Sequence, residues 1–258
     1  MDCKSAPTQP SVETDHVRLP TQHGLMVAWG QFAQHIGLVE GLMDVPVPQK
    51  MVRHAPQKKL LEFLMAILVG VEYLQDINAG PHPLARDRTV AQGWGQDSLA
   101  HYSAVSRTLV ACDPETVTAA RAVLDAVSRP FIQQAVNDVL LGDGYLTLDL
   151  DLMGRSPAGI QLQELFTLFG ANFVRWAAVW LRGQTPKGQT AFLQTLDSVR
   201  TMVRIAANRP AWLIRNSLGT FLEFAESSRF AGTVLRLAGI WCYQPALPLL
   251  RSLQFSNT

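Results

Sequence analysis

Apolar residues recur at three- and four-residue spacing through the first 141 positions, a pattern typical of helices packed around a core. The spacing predicts helices at Leu25 to Met43, Gln57 to Asn78, Thr89 to Gly93, Ser98 to Ala111, and Asp113 to Leu141. Asp113 followed by Pro114 is a helix-start signal, an N-cap residue before a proline at the first helical position. We therefore expect a helical region over residues 25–141.

The pattern changes near Gly142. In YLTLDLDLMG, leucines alternate with Thr147, Asp149 and Asp151, which predicts a strand with one apolar and one polar face. Two apolar runs then flank Gly170, Ala171 and Asn172, which predicts a hairpin. A helix over 186–207, the strand AWLIRNS and a helix from Thr220 complete the predicted order β, β, β, α, β, α. The fold class expected is α+β.

The opening residues MDCKSAPTQPSVETD contain no apolar stretch of the kind a signal peptide needs. We expect residues 1–24 to form a loose tail and the protein to be cytoplasmic. The most apolar run, Leu60 to Leu74, is shorter than the roughly 20 residues that span a bilayer, and it carries Glu62 and Glu72. It predicts a buried helix, with no membrane partner.

Composition adds a core but no metal framework. The chain has 258 residues, of which 48% are hydrophobic, so it can bury a core and form one large or two modest domains. Its formal net charge is only +1. Cys3, Cys112 and Cys242 lack CxxC spacing, which favours reduced thiols over a zinc site or a disulfide framework.

Basic residues are concentrated between Asn172 and Asn216. This stretch has seven basic residues and one acid, Asp197, a local net of +6. The basic residues are Arg175, Arg182, Lys187, Arg200, Arg204, Arg209 and Arg215, with Trp176, Trp180 and Trp212 between them. Two interpretations stay open: a surface that follows a phosphate backbone, or a solvated face whose tryptophans lie in the core.

The helix predicted at Ser98 to Ala111 has a polar side as well. Ser103, Ser106 and Arg107 lie near one another around one turn, while Val105, Leu109 and Val110 offer an apolar side. Such a helix can face DNA, or it can be a surface helix of a bundle. Histidines at 82 and 101 lack metal-motif spacing and are expected on the surface.

Asp149 and Asp151 repel each other on one strand face, since they lie roughly 7 Å apart. Solvent, a divalent cation, or a nucleophile and acid pair can each compensate them. The pair resembles the DxDx(T/V) motif of haloacid-dehalogenase-like phosphatases, but Met153 occupies the Thr/Val position. Asp197 is the only later aspartate, so the acids that hold magnesium in that family have no candidates.

A second resemblance covers most of the chain. The segments LLEFLMAILVGVEYLQDINAGPHPLARDRTVAQGWGQDSLAHYSAVSRTLVACDPETV, YLTLDLDLMG and LRGQTPKGQTAFL resemble bacterial DDE insertion-sequence transposases. The resemblance implies a helical N-terminal, DNA-binding region over 25–141 and a ribonuclease-H-like catalytic domain over 142–258. It implies Asp151, then Asp149, as the first catalytic acid and as a ligand of Mg²⁺ or Mn²⁺ in DNA cleavage and strand transfer.

The chain departs from that family at the remaining acids. Where the second aspartate is expected, WLIRNSLGT has Asn216 and Ser217, and Glu223 and Glu226 come too early for the third acid. We therefore expect an incomplete catalytic domain in a truncated or decayed transposase, with metal binding weak or absent. The expected partners are DNA at the element's inverted repeats, contacted by Arg175, Lys187, Arg200 and Arg204, and a second copy or a full-length transposase, in a nucleoid-associated location.

Overall fold

The computed structural model describes residues 17–50, 53–141, 157–184, 202–203, 209–216, 219–226 and 233–238. They form an α+β fold, as predicted, in which helices enclose an apolar core beside a small antiparallel sheet. The helices are α1 Gly24–His35, α2 Leu38–Met43, α3 Pro56–Val69, α4 Arg88–Gly93, α5 Tyr102–Ala111, α6 Pro114–Leu141 and α7 Ala158–Gln184. The strands are β1 Val17–Thr21, β2 Ala211–Asn216, β3 Gly219–Phe224 and β4 Val234–Ala238, and 3-10 turns occupy Leu74–Asn78 and Leu84–Arg86.

The predicted helices of the first half are present, and two of them end early at glycines. Gly37, at φ 75°, separates α1 from α2, and Gly70, at φ 73°, ends α3. Both glycines adopt the left-handed conformation that stops a helix. The N-cap signal at Asp113 is confirmed, because the Thr116 amide donates to its Oδ1 at 2.8 Å and α6 begins at Pro114.

The core lies between α1 and its neighbours. Phe32 of α1 lies 5.3 Å from the ring of Phe173 and 5.4 Å from that of Trp180, both on α7. On another side of α1, the fully buried Trp94 donates its indole N–H to the Met26 carbonyl at 2.8 Å. Helix α1 is therefore the element on which both α7 and the segment after α4 pack.

The sheet has the order β1-β2-β3-β4, and all of its neighbouring strands are antiparallel. The strand predicted from AWLIRNS is confirmed as β2, with Leu213 opposite Leu19 and Leu222. Strand β1 lies inside the segment predicted as a loose tail, so residues 17–21 are ordered by pairing with β2. The polar composition of the tail concealed this strand.

The predicted hairpin at Gly170 is wrong, because residues 158–184 form the single helix α7. Leu162, Leu165, Phe166, Phe169 and Phe173 are buried at three- and four-residue spacing. Gly170 is inside the helix, facing Leu68 of α3, and makes no turn. Short apolar runs alone do not distinguish a helix from a strand. Here the packing of a wide apolar face against α1 and α3 favours the helix.

The helix predicted from Thr220 is also wrong. Strand β3 occupies that position, and Leu222 and Phe224 alternate with less buried residues. This segment pairs with the edge of β2, and that pairing overrides its local helical propensity. In the described residues after 156, the order is therefore α, β, β, β, apart from a helical pair at Met202 and Val203.

The predicted strand at 145–152 and most of the predicted helix at 186–207 lie outside the described residues. The ribonuclease-H-like domain expected over 142–258, whose sheet would mix strand directions, stays a prediction. Across the predicted boundary at 141/142, α7 packs on α1 and β2 pairs with β1. Within the described ranges, no helix has the length and apolar character to cross a membrane.

Candidate nucleic-acid interface

Most of the site residues predicted from sequence lie outside the described residues: Asp149, Asp151, Lys187, Arg200, Arg204 and Ser217. Asn216 ends β2 opposite Gly219, and Arg175 is exposed on α7. Among the residues that the structure describes, no group of three or more His, Cys, Asp or Glu side chains could hold a metal ion. The predicted metal site therefore stays a prediction.

The tryptophans of the predicted basic stretch pack against the protein. Trp176 stacks on Phe131 of α6 with ring centroids 4.6 Å apart and planes 13° apart. Trp180 packs on Phe32, and the ring of Trp212 lies 4.3 Å from the Arg18 guanidinium. Of the two interpretations left open by the sequence, the described contacts favour packing for these rings.

Helix α5 has one buried and one exposed side. Val105 and Thr108 are fully buried, whereas Ser106 and Arg107 are exposed. The prediction that Val110 belongs to the apolar side is wrong, because it is 84% exposed and lies on the side of Ser106 and Arg107. Polar contacts fix the start of the helix: the Tyr102 amide donates to Asn78 Oδ1 at 2.8 Å, and the Ser103 amide to His101 Nδ1 at 3.3 Å. The helix thus presents a hydroxyl and a guanidinium from a fixed backbone.

A second concentration of basic residues, which the sequence analysis missed, precedes and begins α3. It comprises Lys50, Arg53, His54, Lys58 and Lys59, and the sequence has no acid between Asp44 and Glu62. The signal was available as five basic residues within ten positions. Lys50 and Arg53 are exposed, and Lys58 is half-buried.

Hydrogen bonds join this basic segment to α5. The buried Thr108 hydroxyl donates to Gln49 Oε1, and Lys59 Nζ donates to the same oxygen at 3.3 Å. Burial lowers the pKa of Lys59, the nearby Glu62 carboxyl group raises it in part, and the positive charge of Arg107 lowers it. The residue before Lys50 is therefore tied to both helices, and Arg107 adds its charge to that of the segment.

Positive charge in the segment is mutually repulsive. Burial lowers the pKa of His54 first, and Arg53, Lys59 and Lys58 each lower it further. We use the name α5 basic surface for Lys50, Arg53, His54, Lys58 and Arg107. An anion bound here would relieve the repulsion. The phosphate groups of a nucleic-acid backbone are anions that arginine and lysine side chains bind well.

A buried carboxyl group, that of Glu62, holds the chain just before α5 in place. Glu62 is 3% exposed, and burial raises its pKa to about 7. Its Oε2 accepts a hydrogen bond from the Ala100 amide at 2.9 Å, two residues before α5 begins, while Oε1 has no partner among the described residues. Glu62 thereby fixes the approach of the chain to α5.

Comparison with protein-family models, with curated proteins and with solved structures gave no match to this chain.

Proposed function

We propose that this protein binds DNA and derives from an insertion-sequence transposase, with α5 and the α5 basic surface as its DNA contact. The observation that carries the proposal is the convergence of the segment 50–59 on Arg107, across the Gln49 bridge. Two stretches of chain, distant in sequence, bring positive charge to one side of the structure.

The exposed side of α5 has suitable chemistry. Phosphate contacts position a protein on DNA, and hydroxyl and guanidinium groups also reach base edges in the major groove. Ser106 and Arg107 offer both kinds of donor. The connection between α4 and α5 is longer than the three or four residues of a helix-turn-helix. Charge and exposure, not that motif, support the proposal.

The transposase resemblance supports the same surface. Several residues of the resembling pattern have structural roles: Asp87 caps α4 by accepting from the Val90 amide, Gly93 lies against Val27, and Trp94 is buried. Ser106 and Arg107 belong to the same pattern and are exposed. A surface that binds DNA accounts for these two without a packing role.

The ancestral reaction in this proposal is metal-dependent cleavage and transfer of DNA strands. Asp151 and Asp149 would be the remaining carboxylates of an Mg²⁺ or Mn²⁺ site, with Asn216 and Ser217 at the place of the second acid. Because amide and hydroxyl oxygens bind these ions more weakly than carboxylates do, we propose that the chain does not cleave DNA alone.

DNA binding is tested with one matched pair of substitutions. Arg107→Gln and Arg129→Gln each remove one exposed positive charge, the second from α6. Loss of one phosphate contact weakens binding to duplex DNA by about tenfold at 0.1 M salt. Fluorescence anisotropy should show this loss for Arg107→Gln only. Absence of binding by the unaltered protein, or equal effects of the two substitutions, would contradict the proposal.

The catalytic part needs a separate experiment. Manganese affinity, measured by calorimetry, should be weak, should tighten in Ser217→Asp and should vanish in Asp151→Asn. A nuclease assay on inverted-repeat DNA should show no cleavage. Cleavage by the unaltered chain, or an unchanged affinity in Ser217→Asp, would mean that the second acid position is misplaced.

A further inference from the structure

A cleft of about 540 Å³ lies between the end of β1 and the loop 81–88. Arg86 and Arg88 both line it and are exposed. Within the described ranges, the guanidinium group of neither arginine has a hydrogen-bond or ion-pair partner. The cleft therefore offers two guanidinium groups whose donors are not used by the described protein.

Asp87 stands between the two arginines but is committed to other donors. Its Oδ2 accepts from the Thr21 hydroxyl at 2.7 Å and from the Gln22 amide at 3.3 Å. Its Oδ1 accepts from the Val90 amide at 3.0 Å. The carboxylate thus fixes the loop against β1, and the cleft keeps a net positive charge at neutral pH.

The remaining walls select the kind of anion. Pro20, Pro81 and Pro83 form rigid apolar wall, and the buried His23 uses Nε2 to donate to the His82 carbonyl at 3.1 Å. Burial lowers the pKa of His23, so its ring adds no charge at neutral pH. No Phe, Tyr or Trp is among the described lining residues, and of the two histidine rings only that of His82 is exposed, so the two guanidinium groups dominate the chemistry of the cleft. A phosphate group suits these walls better than a base.

The arginines also face the start of α5. A narrower cleft of about 270 Å³ is lined by Arg86 and Arg88 on one side and by Ser98 and Leu99 on the other. These last two residues lead into α5, whose length is about 15 Å. Arg86 and Arg88 therefore lie near the beginning of α5, and Arg107 lies in its second half.

We propose that the cleft beside Arg86 and Arg88 binds a phosphodiester group of the DNA that α5 contacts, outside the footprint of the α5 basic surface. The inference rests on the proposed function and extends it. The two basic sites, one near the beginning of α5 and one beside Arg107, would hold separate phosphates and so set the orientation of the duplex on α5.

The test compares two double substitutions that remove equal charge. Arg86→Gln with Arg88→Gln alters the cleft, and Arg121→Gln with Arg129→Gln alters the exposed side of α6. DNA affinity is measured from 0.05 to about 0.3 M salt, after circular dichroism has confirmed folding. Because the cleft holds one phosphate, the cleft variant should flatten the slope of log K against log salt by about one, and the α6 variant should leave it almost unchanged.

Duplex length and inorganic phosphate give the remaining outcomes. The duplex is shortened stepwise. At the step where the cleft contact is lost, the DNA affinity of the unaltered protein should fall, and that of the cleft variant should stay unchanged. Equal slopes for the two double variants, with DNA binding intact, would overturn the cleft proposal alone. Absence of DNA binding by the unaltered protein would overturn the proposed function. Inorganic phosphate that binds the cleft without competing with DNA would identify a free-phosphate site and overturn the phosphodiester assignment.

Discussion

Two regions of this protein are rich in basic residues, and they differ in how the fold uses them. The segment 50–59 contributes to one surface with Arg107, because Gln49 is bonded to both α3 and α5. The stretch 172–216 has more basic residues in sequence, but its described part is divided between α7 and β2. Charge counted along a chain is therefore a poor guide to charge gathered on a surface.

The difference follows from secondary structure. Arg175 and Arg182 are seven residues apart on α7, about 10 Å along its axis, and the tryptophans between them pack inward or sideways. Arg209 is bound into the backbone pairing next to β1, with its amide 2.6 Å from the Gln22 carbonyl. Basic residues at 50–59 have no such division, since they precede and begin a single helix.

The largest expected effect concerns Glu62, beneath the α5 basic surface. Its pKa is about 7 in the folded protein, against an ordinary value of 4.5, so the folded state holds an extra proton between these pH values. Stability is thus highest below pH 4.5 as far as this group is concerned, and falls as pH rises through 7. The loss between pH 5 and pH 8 is about 3 kcal/mol.

Glu62→Gln isolates this contribution. The amide keeps an oxygen for the Ala100 N–H and does not ionise. Burial lowers the pKa of His23, His35 and His54, which has the opposite pH dependence, but those groups are present in both proteins. Urea unfolding at pH 5 and pH 8 should show that the variant gains relative stability at pH 8. An equal difference at both pH values would mean that Glu62 is ionised normally.

A smaller effect tests the tryptophans of the second region. Trp176→Ala removes the ring that stacks on Phe131, and should lower the free energy of unfolding by about 2 kcal/mol, because the side chain is half-buried. DNA affinity of the folded variant should be unchanged. A loss of affinity without a loss of stability would show that Trp176 contacts DNA, and the comparison between the two regions would fail.

The smallest effect concerns the bond that joins the first region to α5. Thr108→Val removes the hydroxyl that donates to Gln49 and should cost about 1 kcal/mol, since Lys59 still donates to that oxygen. The segment near Lys50 should exchange its amide hydrogens faster. Unchanged exchange there would show that other contacts hold the segment in place.

Local signals predicted the helical half well. Asp113 and Pro114 gave the start of α6, and the amphipathic pattern gave the exposed Ser106 and Arg107 of α5. Failures came where distant pairing decides the structure. Strand β1 exists because β2 offers an edge, and α7 is one helix because its apolar face fills the space beside α1.

The candidate site was predictable only in part, for the same reason. Exposure of α5 follows from its own sequence, whereas the approach of Lys59 to Arg107 depends on the bridge through Gln49. No periodicity joins position 49 to position 108. The cleft at Arg86 and Arg88 likewise depends on β1, a strand in the segment predicted as a tail.

The salt dependence of DNA binding tests the central claim most directly. One variant replaces Lys50, Arg53, Lys58 and Arg107 by glutamine; of these, Lys58 is half-buried and the others are exposed. Its control replaces four exposed residues by glutamine: Arg121, Arg129, Arg175 and Arg182. Each change removes four positive charges. We predict that the slope of log K against log salt becomes shallower by three to four for the first variant, about 0.9 per contact, and by less than about one for the control. Equal flattening by the two variants, or greater flattening by the control, would contradict the assignment of DNA binding to α5 and the segment 50–59.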